Sequence, residues 1–164
     1  MLSITTCQLQ CGRQYQEDRW VVETNLAKCA HLTLCVVCDG HGGTECSTFL
    51  VRQYPLHLAK EIQQQQEQAA SIKRASFTRL LGIALEKCIQ DWDKYCFGDD
   101  YGTIVDDKSK KAFFDKIDLV KYHKDGKIAG STLVAMLINT RNSKAYLIHI
   151  GDSRCAYLLG NTIA

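Results

Sequence analysis

The sequence predicts an α+β protein in which antiparallel sheets carry helices on their outside. Three features lead to this fold class: apolar strand-like runs near both ends of the chain, two long segments of helical periodicity between them, and short turn signals that join consecutive strands. The expected order is three strands, two helices, an insertion and three further strands. Because strands and helices come in separate blocks, alternating β-α-β units are not expected.

Length, composition and charge narrow the class of protein. With 164 residues, 46% of them hydrophobic, the chain is long enough for one domain with a buried core. A net charge of +2 does not favour binding to nucleic acid or to an anionic membrane. No apolar run reaches the length of a membrane span and no secretory signal is visible, so the nine cysteines indicate reduced thiols in a cytoplasmic or nuclear protein.

The amino-terminal strands are predicted at 2–10, 20–22 and 31–38, and the third is apolar nearly throughout, which predicts burial on both faces. Its Cys35 and Cys38 form a C-x-x-C pair. Zinc or redox chemistry is one interpretation of that pair. The three-residue spacing points the two sulfurs to opposite faces of a strand, which favours two small buried side chains instead.

Two helices are predicted next. Thr44 suits the N-cap of the first helix, and its only proline, Pro55, predicts a kink or a split. The second helix, within 72–96, has the clearest periodicity in the chain. Its apolar stripe consists of Phe77, Leu80, Leu81, Ala84, Leu85, Cys88, Trp92 and Cys96.

The segment 99–127 alternates aspartates with lysines and lacks the residue order of a calcium loop, so it is predicted to be a long surface insertion. Apolar strands are predicted after it at 133–138, 144–150 and 155–159, with turns between them.

Polar residues that suit a phosphate site lie at or near the ends of the predicted strands. They are Arg13, Glu17, Asp18, Asp39, Gly40, His41 and Asp152. Hard divalent cations such as Mg2+ or Mn2+ take oxygen ligands and keep several waters. Asp39 offers two oxygens that could bridge two ions, Gly40 lets a backbone carbonyl approach an ion, and His41 could give a proton to a leaving group.

Arg13 and Glu17 are four residues apart, and an even step places both on one side of an extended segment. A guanidinium that grips two phosphate oxygens would then lie beside a metal-binding carboxylate. Taken singly, these residues also fit surface ion pairs, a strand-ending turn at Asp39 and a hairpin turn at Asp152. A Walker-type loop is excluded because no Gly-Lys-Ser/Thr follows the glycines, and Cys38 lacks the Cys-x5-Arg loop of a cysteine phosphatase.

Taken together, four stretches resemble the metal-dependent protein serine/threonine phosphatases of the 2C type. They are Arg13-x-x-x-Glu17-Asp18-Arg19, Val37-Cys38-Asp39-Gly40-His41-Gly42-Gly43, Gly130-Ser131-Thr132-Leu133 and Gly151-Asp152-Ser153-Arg154. They occur in the order of that family. Each motif is weak alone, but the joint match is specific and covers nearly all of the chain outside about 99–127.

The resemblance implies a four-layer fold, a β-sandwich of two antiparallel sheets flanked by helix pairs, with a two-metal centre at one end. In that fold Glu17, Asp39 and the Gly40 carbonyl would bind Mg2+ or Mn2+. Asp18 would be a supporting acidic residue, and Asp152 would help to hold an additional, weaker ion.

The resemblance also implies a reaction, the hydrolysis of phosphoserine and phosphothreonine on phosphorylated proteins. Arg13 would bind the phosphoryl group, and His41 would be the general acid for the departing alkoxide. A metal-activated water would attack phosphorus directly, without a phosphoenzyme.

The family carries further metal-binding aspartates in its C-terminal half, and this chain ends before them. The expectation is therefore that residues 1–164 are the amino-terminal part of a single phosphatase domain, weakly active or inactive, and able to self-associate through exposed sheet edges. A non-catalytic phosphatase-like binding module is the alternative function. Metal-dependent hydrolases of nucleotides share the chemistry but would not predict all four motifs.

Overall fold

A computed structural model of the chain describes residues 2–12, 14–68, 75–98 and 129–156, with two short strands at 158–159 and 162–163. The strands are β1 (Arg19–Thr24), β2 (Leu32–Cys38), β3 (Gly40–His41), β4 (Gly130–Ser131), β5 (Leu133–Asn139), β6 (Lys144–Ile150), β7 (Leu158–Leu159) and β8 (Thr162–Ile163). The helices are α1 (Glu45–Glu67) and α2 (Phe77–Phe97), and a short 3-10 turn lies at Leu26–Lys28.

Four strands form one antiparallel sheet in the order β1-β2-β5-β6, which confirms the α+β class. β2 and β5 are neighbours although both helices lie between them in sequence, and their register places Leu34 opposite Leu137 and Val36 opposite Ala135. The short strands pair separately, β3 with β4 and β7 with β8. Within the described part of the chain, β1 and β6 are the sheet edges, and self-association through them stays a prediction.

The helices and one face of the sheet form the core. Alternate side chains of β2 are buried on this face, namely Leu32, Leu34, Val36 and Cys38. Tyr54 of α1 is fully buried and its hydroxyl donates to the Leu81 carbonyl of α2 at 3.2 Å. The two helices are also joined by a close approach of His57 Nε2 to Asp91 at 2.9 Å and by the ion pair of Lys87 with Glu61.

The opposite face of the sheet is apolar but partly open to solvent. Trp20 is 43% exposed, Val37 52% and Leu147 38%, and all three lie on the face away from the helices. The expectation that β2 is buried on both faces is therefore wrong at Val37. Exposed apolar surface of this kind is unfavourable in water, so packing of another apolar surface against it would be stabilising.

The predicted strand at 2–10 is wrong, since these residues carry no regular secondary structure. The segment is held to the connector before β1 by side-chain amides instead. Gln8 donates to the Asp18 carbonyl at 2.9 Å and Gln16 donates to the Leu9 carbonyl at 3.1 Å. Residue types that favour a strand form one only where the backbone can pair with a neighbouring strand, and the backbone of 2–10 is not paired in this way.

Of the two outcomes predicted at Pro55, the split is wrong, because α1 continues as one helix through it, whereas the kink stays a prediction. Proline removes one backbone hydrogen bond, but Tyr54, Leu58 and Ile62 are buried on both sides of it and hold the two halves against the core. Of the strand predicted at 155–159, the structure describes 155–156, which carry no regular secondary structure, and Leu158–Leu159, which are strand. The described helices lack the combination of length and apolarity needed to cross a bilayer. The insertion predicted at 99–127 lies outside the described residues.

Candidate functional site

The loop between β2 and α1 is fixed through its backbone by the Gly-Ser-Thr motif. Thr132 donates its N–H to the Asp39 carbonyl at 2.9 Å, and the Ser131 hydroxyl lies 3.0 Å from the same carbonyl and 2.7 Å from the Thr132 carbonyl. The Asp39 N–H donates to Thr132 Oγ1 at 3.2 Å. These bonds satisfy the Asp39 backbone and leave its carboxylate on an exposed residue at the end of β2.

Glu17 accepts two hydrogen bonds from this region, one at its side chain and one at its backbone. Its carboxylate oxygen Oε1 accepts the Gly43 N–H at 2.6 Å, and its backbone carbonyl accepts the Ser47 hydroxyl at 2.5 Å. The first motif is thereby tied to the loop and to the first turn of α1. One carboxylate oxygen of Glu17 is thus engaged by the backbone, while its second oxygen takes no hydrogen bond from the described residues.

Two glycines permit the close approaches on which the site depends. A Cβ atom on Gly40 would lie 2.5 Å from the Glu17 carbonyl oxygen and 2.8 Å from Ser47 Oγ. A Cβ atom on Gly130 would lie 2.6 Å from Cε1 of His41. The His41 ring therefore rests on the bare backbone of β4, with the residue itself exposed to solvent.

The fourth motif reaches the loop through Thr132. Thr132 Oγ1 and Ser153 Oγ share a hydrogen bond at 2.5 Å. Gly151 has a φ of +89°, and a Cβ there would lie 2.7 Å from Thr132 Cγ2, so this turn requires glycine for both its backbone and its packing. Asp152 is exposed in the same turn.

A cavity of about 410 Å3 opens beside the loop. It is lined by Leu9, Gln10, Cys11, Tyr15, Gln16, Glu17, Asp18, Asp39, Gly40 and His41. The structure thus brings Glu17, Asp18, Asp39, Gly40 and His41 to one cavity. Asp152 is not part of its lining, and Arg13 lies outside the described residues.

Residues that line this cavity have the donor type of a hard divalent cation. Glu17, Asp18 and Asp39 have carboxylates and Gly40 has a carbonyl, and Mg2+ and Mn2+ prefer oxygen ligands. Among the described residues, however, no three acidic, histidine or cysteine side chains gather closely enough to hold a metal ion. The chemistry of the donors fits, and the described part of the chain supplies the set incompletely.

The Cys38 thiol, next to Asp39, is buried and keeps its proton. All nine cysteines are free thiols. Cys38 is buried on the helix side of β2, whereas Cys35 on the other face is half-buried, so the predicted opposite orientation of the C-x-x-C pair is confirmed. Burial, reinforced by the neighbouring Cys46, raises the pKa of Cys38 to about 12. A thiol that keeps its proton is a poor nucleophile or metal ligand.

One residue of the site, Ser47, and one contact, that of Gly130 with His41, escaped the sequence interpretation. Ser47, which holds Glu17, lies on the buried face of α1 between Cys46 and Leu50. A serine on an apolar helix stripe was the available signal, because a buried hydroxyl needs a partner. The contact of Gly130 with His41 joins residues too far apart in sequence for any local pattern to indicate it.

Comparison of the chain with protein-family models and with curated proteins gave no match. Assignment to a family therefore depends on the motifs and on the site geometry.

Proposed function

We propose that the chain belongs to a metal-dependent protein serine/threonine phosphatase of the 2C type, which hydrolyses phosphoserine and phosphothreonine on proteins with Mg2+ or Mn2+. The observation that carries the proposal is the convergence of the four motifs around Asp39. Glu17 contacts the loop at Gly43, Thr132 bonds the Asp39 backbone, and Ser153 bonds Thr132. Unrelated surface turns would not be expected to form these hydrogen bonds with one another.

The fold supports the same proposal. One antiparallel sheet carries both helices on one face and an apolar surface on the other. In a four-layer sandwich that second face packs on another sheet, and sheet-on-sheet cores are made of such alternating apolar side chains. The sandwich is thus the architecture that gives Trp20, Val37 and Leu147 a buried environment.

The roles of the residues follow from their positions. Asp39 and Glu17, with the Gly40 carbonyl, would hold the cations, supported by Asp18. When bound, such ions activate water and neutralise charge on a phosphoryl group. His41 is exposed at the cavity with its ring supported by Gly130, where it can hold a proton for the departing serine or threonine oxygen. For Arg13 and Asp152 the proposed roles depend on the sequence resemblance alone.

The test is release of phosphate from a phosphothreonine peptide by the 164-residue chain, with Mn2+ or with a chelator. We expect slow release that requires Mn2+ and falls at least about a hundredfold in Asp39→Asn, since removal of a metal ligand costs more than removal of its neighbours. Glu86→Gln, which neutralises an exposed carboxylate on α2, is the matched control and should leave the rate unchanged. Equal release by wild type and Asp39→Asn, or in the presence of chelator, would contradict the proposal.

The alternative is a phosphatase-like module that binds partners without catalysis. It is favoured by the incomplete grouping of metal-binding side chains among the described residues. Calorimetric titration separates the two functions. A module that binds Mn2+ or the phosphopeptide and releases no phosphate supports the alternative, whereas binding together with turnover supports the phosphatase.

A further inference from the structure

Ser47 directs its hydroxyl away from its own helix. It is the third residue of α1 and is fully buried. A serine in a helix ordinarily bonds a carbonyl three or four residues earlier. Here the carbonyl of Thr44 lies 3.2 Å away, but the shorter bond, 2.5 Å, goes to Glu17, which is 30 residues distant in sequence. The single hydroxyl proton therefore serves the connector before β1.

This bond is one of three features that hold Glu17 in place. Ser47 holds the carbonyl of Glu17, the Gly43 N–H holds its carboxylate, and Gly40 leaves the space in which the three segments meet. The Gly43 bond fixes only one oxygen of a side chain with several rotatable bonds. The Ser47 bond fixes the backbone from which that side chain extends, so it sets where the carboxylate can reach.

We propose that Ser47 is a positioning residue for Glu17. By holding the Glu17 backbone it keeps one carboxylate oxygen on the Gly43 N–H and the other available to a divalent cation in the cavity. The part of this inference that concerns the cation rests on the proposed phosphatase function. The part that concerns the bond between Glu17 and Gly43 is independent of it.

The variants are Ser47→Ala and Ser47→Cys in the full chain. Alanine removes the hydroxyl, whereas cysteine keeps a similar volume and donates only weakly, so together they separate the hydrogen bond from a packing defect. Thr48→Ala is the matched control, because it removes a hydroxyl from the next residue of α1, which lines the groove between the helices. Circular dichroism melts establish that each variant is folded.

The first readout is hydrogen exchange of the Gly43 amide, because its N–H is protected while it donates to Glu17. We expect slow exchange in wild type and Thr48→Ala, and exchange at least about tenfold faster in both Ser47 variants. The second readout is Mn2+ binding by calorimetry, where both Ser47 variants should raise the Kd about ten- to a hundredfold, the usual cost of removing a group that orients a metal ligand.

Gly43 exchange that stays slow in both Ser47 variants would overturn the inference. Faster exchange in Ser47→Ala with wild-type exchange in Ser47→Cys would also overturn it, because the cause would then be a cavity. Absence of Mn2+ binding in wild type would overturn the phosphatase proposal alone, since the Gly43 signal still decides the role of Ser47.

Discussion

The two helices begin in different ways. At α2, Ser76 is extended (φ −67°, ψ 155°) and its hydroxyl accepts the Arg79 N–H at 3.3 Å, which is an ordinary N-cap. At α1, Thr44 already has helical angles (φ −93°, ψ −7°) and its side chain makes no capping bond. The polar groups near the start of α1 bind Glu17 instead, through Gly43 and Ser47.

The difference shows what each helix start is for. The Ser76 cap serves α2, since it satisfies one of the backbone donors that a helix leaves unpaired. The polar groups of the first turn of α1 hold a distant segment of the chain against the loop that carries Asp39. The polar groups in the first turn of α1 therefore contribute to the geometry of the candidate site and not to capping of the helix. Substitutions at the two helix starts test this difference.

The largest expected effect concerns Cys46, the second residue of α1. An exposed helix N-terminus lowers the pKa of a thiol, but burial, with Cys96 and Cys88 nearby, raises the pKa of Cys46 from 9.0 to about 12. At pH 8 the reactive thiolate is then about a thousandfold rarer than for a thiol of pKa 9.0. We expect iodoacetamide, read by mass spectrometry, to modify exposed Cys7 and Cys11 long before Cys46. Comparable rates of modification at Cys46 and at Cys7 and Cys11 in the folded protein would show that the start of α1 is accessible to the reagent.

Glycine-to-alanine substitutions in the two regions should have opposite signs. Gly40→Ala places a methyl group 2.5 Å from the Glu17 carbonyl oxygen and should lower the free energy of unfolding by about 1–3 kcal/mol. Gly82→Ala in α2 meets no atom within 4 Å and should raise it by about 0.5–1 kcal/mol. Urea denaturation measures both. If Gly40→Ala leaves the free energy of unfolding unchanged, the contacts around Glu17 are not tightly packed.

The smallest effects are those of the caps themselves. Ser76→Ala should cost about 1 kcal/mol of stability because it removes a capping bond. Thr44→Ala should change stability by no more than about 0.5 kcal/mol, since its side chain caps nothing. Thermal melts of the two variants side by side provide the measurement. If Thr44→Ala is the more costly, the contrast between the helix starts is wrong.

Local patterns predicted much of the fold. The alternation along β2 separates Cys38 from Cys35, and the 3.6-residue period of α2 places Leu81 and Cys88 in the core. These predictions hold because burial repeats with the geometry of a strand or helix. The predicted split at Pro55 is wrong because packing of the surrounding side chains outweighs one missing hydrogen bond.

The candidate site was predictable as a set of residues but not as an arrangement. Glu17, Asp39 and His41 could be chosen because their chemistry suits a phosphate site, and all three line one cavity. That Thr132 bonds Asp39, and Ser47 bonds Glu17, depends on how distant segments meet. Those contacts come from tertiary packing, which no short sequence window contains.

The pairing of β2 with β5 has a consequence for how the molecule folds. The bond between Asp39 and Thr132 spans 93 residues, whereas the helix contact between Tyr54 and Leu81 spans 27. Closing a longer loop costs more chain entropy, and proteins dominated by distant contacts fold more slowly. We therefore expect the helix pair to form before the Asp39 loop, which needs β5 in the sheet to acquire its final shape.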